Sequence, residues 1–185
     1  MSDSMGKAVF IIIFVSTMIC LAEPTQFKSV SEAFKKIRLE SSSLTYKIVT
    51  EKPLHVQLSP IIIKGDIAYI IEEEVKRSFV LTIILLFGHT SITEITISSV
   101  PEELDISTGK KQKKEQYGKK HTIKRVKYEN ILKKYFKINN CKDLIGDRKY
   151  GEEIAHDQLL QLTGKILFND QGAPGLNNFF NELTK

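Results

Sequence analysis

The residues with catalytic potential lie close together in the C-terminal half of the chain. Cys141 is followed by the acid pair Glu152 and Glu153 and by His156 and Asp157. A thiolate nucleophile needs a base within hydrogen-bond reach and surroundings that lower its pKa. His156 follows Cys141 by 15 positions (156 minus 141), and nothing in this spacing selects the pair. We therefore interpret Cys141 as a small buried side chain and assign no catalytic residue.

The histidines do not have the spacing of a metal site. The intervals between them are 34, 32 and 35 residues, for His55, His89, His121 and His156. Ligands supplied by one helix or turn stand about two to five positions apart. The acid run of Glu72, Glu73 and Glu74 fits a solvated helix face better than the alternate positions of a calcium loop. The sequence predicts neither a metal site nor a cofactor.

A basic segment between Lys110 and Lys127 is the largest local anomaly. It holds nine basic residues and one acid, Glu115, which gives a local net charge of +8 (9 minus 1) in a chain of net charge +5. The remainder is therefore net −3 (5 minus 8). The candidate binding residues are these basic side chains and a tyrosine that could stack on a ligand: Lys110, Lys111, Lys113, Lys114, Tyr117, Lys119, Lys120, Lys124, Arg125 and Lys127. Such a patch attracts polyanions.

Three interpretations of this segment remain open. A lysine-rich tip can simply be solvated, keeping a protein soluble or blunting a sheet edge. It can also bind an anionic protein or an anionic envelope component. Nucleic acid is disfavoured, because Arg125 is the one guanidinium in the segment and phosphate recognition leans on arginine forks.

The N-terminus resembles a secretory signal. An uncharged run from Ala8 to Ala22 follows Lys7 and ends in a small residue before Glu23. A membrane-spanning helix needs about 20 apolar residues, and this run is shorter. We predict a signal peptide at 1–22, cleavage after Ala22 and a periplasmic or secreted protein without a transmembrane segment. A retained anchor or a lipid on Cys20 is the alternative.

The mature chain is expected to form a single domain. Residues 23–185 number 163 (185 minus 22), which is enough for one hydrophobic core. Because Cys141 is the one cysteine left after cleavage, no internal disulfide can form.

Hydrophobic patterns predict mixed elements in the first half of this domain. They are a helix at 29–38, strands at 44–50 and 54–58 that form a hairpin, a connector at 60–65 and a helix at 66–79. Ser29 and Glu32 have the spacing of a capping box, and Asp66 can cap the second helix. We expect Ile67 and Ile70 to face inward on that helix and Glu73 to face solvent.

The second half is predicted to complete the sheet and to end in helices. The apolar run at 80–87 fits a central strand, paired in a hairpin with a strand at 91–100. Residues at about 107–124 contain little apolar material and are predicted to form a mobile loop or an extended hairpin tip. Further helices are expected at 128–136, 152–168 and 176–183.

Together these elements predict an α+β fold: an antiparallel sheet with a leading helix, a central helix and a C-terminal helical subdomain. The favoured function is that of an exported, non-catalytic interaction protein, either a periplasmic accessory factor or an immunity-type inhibitor of an exported enzyme. One alternative is an exported hydrolase acting on an envelope polymer, with acids such as Glu102, Glu103 or Glu152. The other is a binder of anionic surfaces through the lysine-rich loop.

Overall fold

A mixed sheet and four helices are formed by the residues that the computed structural model describes, namely 26–37, 44–136, 166 and 175–185. The helices are α1 Val30–Ile37, α2 Ala68–His89, α3 Arg125–Phe136 and α4 Leu176–Thr184. The strands are β1 Leu44–Glu51, β2 Leu54–Ile63, β3 Glu94–Ser99, β4 Glu102–Leu104, β5 Lys111–Lys113 and β6 Lys119–Lys124, with a 3₁₀ turn at Glu115–Tyr117. The predicted α+β class is confirmed.

The six strands build a sheet that is four strands wide. β1 and β2 form the predicted antiparallel hairpin. β3 and β4 follow one another along the other edge of β2. They share one register, because the residue numbers of paired residues differ by 41 in both: 96 minus 55 for Thr96 and His55, and 102 minus 61 for Glu102 and Ile61. β6 and β5 pair antiparallel with β3 and β4 and form the far edge.

The expectation of an antiparallel sheet is wrong at its centre, because β2 runs parallel to both β3 and β4. Parallel neighbours need a crossover connection, and α2 provides it between β2 and β3. The chain therefore enters β3 in the same direction as it entered β2.

Residues 80–87 belong to α2 and not to the predicted central strand. No glycine or proline interrupts the chain from Ala68 to Phe87, so the helix that starts at Ala68 can propagate through this run. Nearly every side chain from Ser78 onward is buried. A helix that is apolar on all sides satisfies the same pattern as a buried strand.

The start of α2 also differs from its prediction. Asp66 is not the N-cap residue; that position is Ile67, and the Asp66 carboxylate instead accepts a hydrogen bond of 2.8 Å from the Ile63 amide. The predicted connector at 60–65 is strand up to Ile63. Ile67 and Ile70 are exposed, and Glu73 is buried where α2 meets α4 and accepts a hydrogen bond from the Asn177 side-chain amide.

Four of the predicted helical features are confirmed. The Glu32 amide donates to the Ser29 hydroxyl at 3.1 Å, which is one half of the predicted capping box, and the Glu32 carboxylate accepts from the Lys28 amide, one residue before the N-cap. The helices predicted at 29–38, 128–136 and 176–183 correspond to α1, α3 and α4, and their apolar side chains are buried: Val30, Ala33 and Phe34; Tyr128, Ile131 and Leu132; Leu176, Phe179, Phe180 and Leu183. They pack with α2 and the inner face of the sheet into one core.

The basic segment predicted as a loop at about 107–124 contains β5, the 3₁₀ turn and β6. Its main chain pairs with β4 and β3, so the ordering of the segment does not depend on apolar content of its own. Ile123 anchors β6 in the core.

Two predicted segments fall largely outside the described residues. The signal peptide at 1–22 lies wholly outside them. Of the predicted helix at 152–168 the structure describes Ile166, which is helical and buried. In the described ranges, none of the helices has the length and apolar content needed to cross a membrane.

Candidate functional site

The sheet has one face packed against helices and one face that carries polar side chains. In β3, Ile95, Ile97 and Ser99 are buried, whereas Thr96 and Ser98 are partly exposed. Successive side chains of a strand point to opposite faces. Because the buried set packs with α2, Thr96 and Ser98 lie on the opposite side, which we call the outer face.

Two rows of side chains cross the outer face from β1 to β6. The first is Lys47, Gln57, Ser98 and Lys120, and the second is Thr50, His55, Thr96 and Thr122. His55 Nε2 and Ser98 Oγ share a hydrogen bond of 3.0 Å, and the hydroxyls of Thr96 and Thr122 share one of 2.7 Å. These bonds bring side chains of β2, β3 and β6 together on one surface.

Lysines stand at both ends of the first row. Lys47 and Lys120 are exposed, as is Lys124, which follows Lys120 on the same face and opposes Glu94. Neighbouring strands lie about 4.8 Å apart, so three such steps separate the backbones of Lys47 and Lys120 by roughly 14 Å. Neutral hydrogen-bonding side chains occupy the space between the two positive charges.

β5 extends this surface with two further exposed lysines, Lys111 and Lys113, opposite Leu104 and Glu102. The shared register of β3 and β4 against β2 carries the alternation of faces through both strands. In the described sheet the outer face holds five lysines and two glutamates, a net charge of +3 (5 minus 2): Lys47, Lys111, Lys113, Lys120 and Lys124 against Glu94 and Glu102.

Two of the predicted binding residues are engaged by the protein itself. Lys114 Nζ pairs with the Glu103 carboxylate at 2.9 Å. The Arg125 guanidinium donates to three backbone carbonyls around the end of α2 and lies over the ring of Phe87. Both side chains therefore have partners within the protein and contribute to the fold.

The remaining predicted residues are spread over different surfaces. Lys119 alternates with Lys120 and therefore points to the inner side of β6, and Lys127 lies on α3. Tyr117 is half-buried in the 3₁₀ turn, and Lys110 is exposed in the turn before β5. The structure thus gathers four of the ten predicted residues on the outer face: Lys111, Lys113, Lys120 and Lys124.

The three described histidines occupy separate environments. His55 lies on the outer face, where partial burial and the nearby charge of Lys120 lower its pKa. His121 lies on the inner side of β6, with ring centroids 5.9 Å from Phe79 and 5.6 Å from Phe180, and burial lowers its pKa. His89 is buried at the end of α2 beside Phe27.

The residues considered for catalysis are not brought together where the structure can be described. Cys141, Glu152 and His156 lie outside the described residues. Glu102 and Glu103 are neighbours on β4, on opposite faces, and Glu103 is the ion-pair partner of Lys114. Within residues 26–37, 44–136 and 175–185, no three histidine, cysteine or acid side chains form a group that could hold a metal ion.

An open depression of about 380 Å³ lies where β3 and β6 meet the start of α3. Its walls come from Thr93, Glu94, Lys124, Arg125, Val126 and Glu129. Lys124 and Glu94 connect this depression to the outer face.

Several outer-face residues were not among those predicted from the sequence, notably Lys47, His55, Thr96 and Thr122. The period-two alternation of β1, β2 and β3 could have assigned Lys47, His55 and Thr96 to a face, whereas Thr122 lies in β6, within the segment predicted as a loop. Their meeting depends on the pairing of β2 with β3, which no local pattern specifies.

No protein-family model, no curated protein and no solved structure matches this chain.

Proposed function

We propose that the protein is an exported, non-catalytic interaction protein that binds an acidic surface of a protein partner with the outer face of its sheet. The observation that carries this proposal is the alignment of lysines from separate strands on that face, with Lys47 and Lys120 at the two ends of one row. The predicted signal at 1–22 supports export to the periplasm or beyond. An accessory factor and an immunity-type inhibitor are both consistent with this surface.

The rigidity of the surface supports recognition. Strand pairing fixes the backbone positions from which these lysines project, so binding immobilises less backbone than it would on a loop. The hydroxyls of Thr96 and Thr122 and the amide of Gln57 lie between the lysines and can bond polar groups of a partner. A positive face also steers an acidic partner during encounter.

The pattern of basic groups supports an acidic protein over nucleic acid. Phosphate recognition relies on guanidinium forks, and Arg125 directs its donors to the carbonyls of Phe87, Thr90 and Ile92. Lysine ammonium groups act as point charges, which suit scattered carboxylates.

Site-directed cross-linking in exporting cells tests the proposal. A photoreactive residue replaces Thr122 on the outer face or, as a control, exposed Asn130 on α3. We expect a defined protein adduct from position 122 and none from position 130. Adducts of equal yield from both positions would contradict the assignment of the surface.

A matched pair of charge variants tests the role of the lysines. The first is Lys47→Glu/Lys120→Glu/Lys124→Gln, in which glutamine avoids placing a carboxylate opposite Glu94. The control is Lys35→Glu/Lys133→Glu/Lys185→Gln, at exposed positions elsewhere. Both lower the net charge from +5 to 0 (5 minus 5). We expect the first to reduce the adduct at least tenfold and the control to preserve it.

A further inference from the structure

A second surface, at one end of the sheet, exposes large apolar side chains on two adjacent turns and on the ends of β2 and α2 beside them. One turn joins β2 to α2 and the other joins β4 to β5. The Lys64 amide donates to the Leu104 carbonyl at 3.0 Å, and Lys64 Nζ pairs with Asp105 at 2.8 Å. The exposed side chains, which we call the apolar end, are Ile63 (39%), Ile67 (66%), Tyr69 (56%), Ile70 (41%) and Ile106 (72%).

Hydrogen bonds fix the backbone of both turns. Asp66 accepts a hydrogen bond from the Ile63 amide with its carboxylate, and its own amide donates to the Ile63 carbonyl. The Asp105 carbonyl accepts from the Gly109 amide at 2.7 Å, and the Asp105 carboxylate accepts from the Ser107 amide at 3.0 Å. Ile106 therefore lies at the tip of a hydrogen-bonded turn, and Gly109 closes that turn with φ of +67°.

The rim of the apolar end presents positive charge to an approaching surface. The acids there are partly buried, and two of them are ion-paired, Asp105 with Lys64 and Glu103 with Lys114. In the two turns and in β5, the exposed charged residues are all lysines: Lys64, which is paired with Asp105, and Lys110, Lys111 and Lys113. Exposed isoleucines can enter the boundary between headgroups and acyl chains, a tyrosine favours the same depth, and lysines attract anionic headgroups. The apolar end therefore fits the surface of an anionic bilayer.

We propose that the apolar end docks on the surface of a lipid bilayer that carries anionic headgroups. Ile67 and Ile106 enter the boundary between headgroups and acyl chains, and the exposed lysines, Lys110 and Lys111 among them, contact the headgroups. The inference goes beyond the proposed function, since it concerns a different partner and centres on Ile67 and Ile106, which are not outer-face residues, although Lys111 and Lys113 lie at the border of both surfaces. A protein could be bound on the outer face while the apolar end rests on the membrane.

Vesicle sedimentation with the protein in its exported form tests this proposal. The probes are vesicles of phosphatidylcholine alone and of phosphatidylcholine with phosphatidylglycerol. We expect binding to the anionic vesicles. Ile67→Ser/Ile106→Ser should weaken that binding about tenfold, because it removes the favourable transfer of two isoleucine side chains from water into the bilayer. Val126→Ser is the matched control, as Val126 is 61% exposed on α3, outside the apolar end, and its replacement should leave binding unchanged.

The lysine rim has its own variant. Lys110→Gln/Lys111→Gln should weaken binding to anionic vesicles about fivefold or more and leave sedimentation with vesicles of phosphatidylcholine alone unchanged. Lys35→Gln/Lys133→Gln, with the same change in charge, should bind like the unmodified protein.

Tryptophan fluorescence at saturating vesicle concentration reports which residue enters the bilayer. The chain contains no tryptophan, so Ile106→Trp and Val126→Trp each report on a single position. Anionic vesicles should shift the emission of the first to shorter wavelength and leave that of the second unchanged.

Three results would overturn the proposal. The first is that the protein does not bind anionic vesicles, and the second is that the two tryptophan variants give the same emission. The third is that Ile67→Ser/Ile106→Ser binds as well as the unmodified protein, which is the result expected if residues 8–22 attach the chain to the membrane. Loss of the protein adduct at position 122 in the isoleucine variant, with vesicle binding intact, would assign the apolar end to the protein partner instead. Because that adduct is measured separately, failure on vesicles leaves the proposed function standing.

Discussion

Arg125 connects the end of α2 to the start of α3 through its guanidinium. Nε donates to the Ile92 carbonyl at 2.7 Å, Nη1 to the Phe87 carbonyl at 2.6 Å and Nη2 to the Thr90 carbonyl at 2.5 Å. The last carbonyls of a helix have no partner within it, and a positive charge there also complements the helix dipole. One side chain therefore satisfies the end of α2 and fixes the loop that leads into β3.

Replacing Arg125 with lysine should destabilise the protein. A lysine keeps the charge but cannot reach three carbonyls in a fixed fork, so we expect the free energy of unfolding to fall by about 2 kcal/mol. Urea denaturation measures the change. Lys124→Gln, at the exposed neighbouring position, is the control, and an equal loss in both variants would contradict this role of the guanidinium.

His121 should make stability depend on pH. Burial first, and then the charges of Lys119 and Lys127, lower its pKa, so the unfolded chain takes up a proton more readily than the folded one. Stability is therefore unaffected above the unfolded pKa of about 6.5 and decreases as the pH falls below it. His55 has a lowered pKa and acts in the same direction.

The unfolding free energy at pH 7.5 and at pH 5.5 measures this contribution. We expect a decrease at pH 5.5 that is smaller in His121→Gln and smallest in His55→Gln/His121→Gln. Asp105 and Glu182, whose pKa values are lowered by Lys64 and Lys134, stay charged in this window. An unchanged pH dependence in the double variant would show that other groups control it.

At the scale of elements, the sequence predicts those with a clear period. α3 and α4 place apolar side chains at intervals of three and four residues, and their buried faces follow directly. The run at 80–87 is apolar at nearly every position and has no period, so a strand and a buried helix fit it equally. With that run assigned to a strand, the crossover and the parallel pairing of β2 with β3 could not be predicted.

The candidate site was predictable in the same partial way. Charge alone identified the basic segment, and four of its lysines, such as Lys120, reach the outer face. The opposite end of the row is Lys47, more than 70 residues earlier (120 minus 47 is 73). Long-range strand pairing places Lys47 and Lys120 in one row, and such pairing cannot be predicted from composition.

α4 is held on α2 by a polar contact at the edge of the core. Lys76 Nζ donates to Asn177 Oδ1 at 2.8 Å, and Asn177 Nδ2 donates to Glu73 Oε1 at 3.3 Å. Glu73 is 8% exposed, and a buried carboxylate that loses a donor is costly.

Asn177→Ala should therefore loosen α4 before the rest of the fold. We expect a loss of about 1 to 2 kcal/mol in the free energy of unfolding. In hydrogen exchange, the amides of Phe180 and Leu183 should lose protection more than those of β3. Asn181→Ala, an exposed position on the same helix, should change neither quantity, and uniform loss of protection across the molecule would argue against a local role.

At the scale of the whole molecule, the sheet separates stability from interaction. Its inner face contributes to one core with all four helices, whereas its outer face carries exposed lysines and hydroxyls. Surface substitutions away from packed groups usually change stability by about 0.5 kcal/mol or less. The two faces can therefore be altered independently, although they alternate residue by residue along the same strands.

Two variants on paired strands should show this separation. Ile97→Ala removes a fully buried side chain from β3 and should lower the free energy of unfolding by about 3 kcal/mol, while the folded fraction still forms the adduct at position 122. Lys47→Glu/Lys120→Glu/Lys124→Gln should keep the unfolding free energy within about 0.5 kcal/mol and lose that adduct. Both quantities are measured on both variants. If the outer face is the interaction surface, Ile97→Ala has the lower unfolding free energy and the lysine variant has the lower cross-linking yield. If the lysine variant unfolds as readily as Ile97→Ala, its loss of the adduct reflects unfolding, and the outer face is a structural surface.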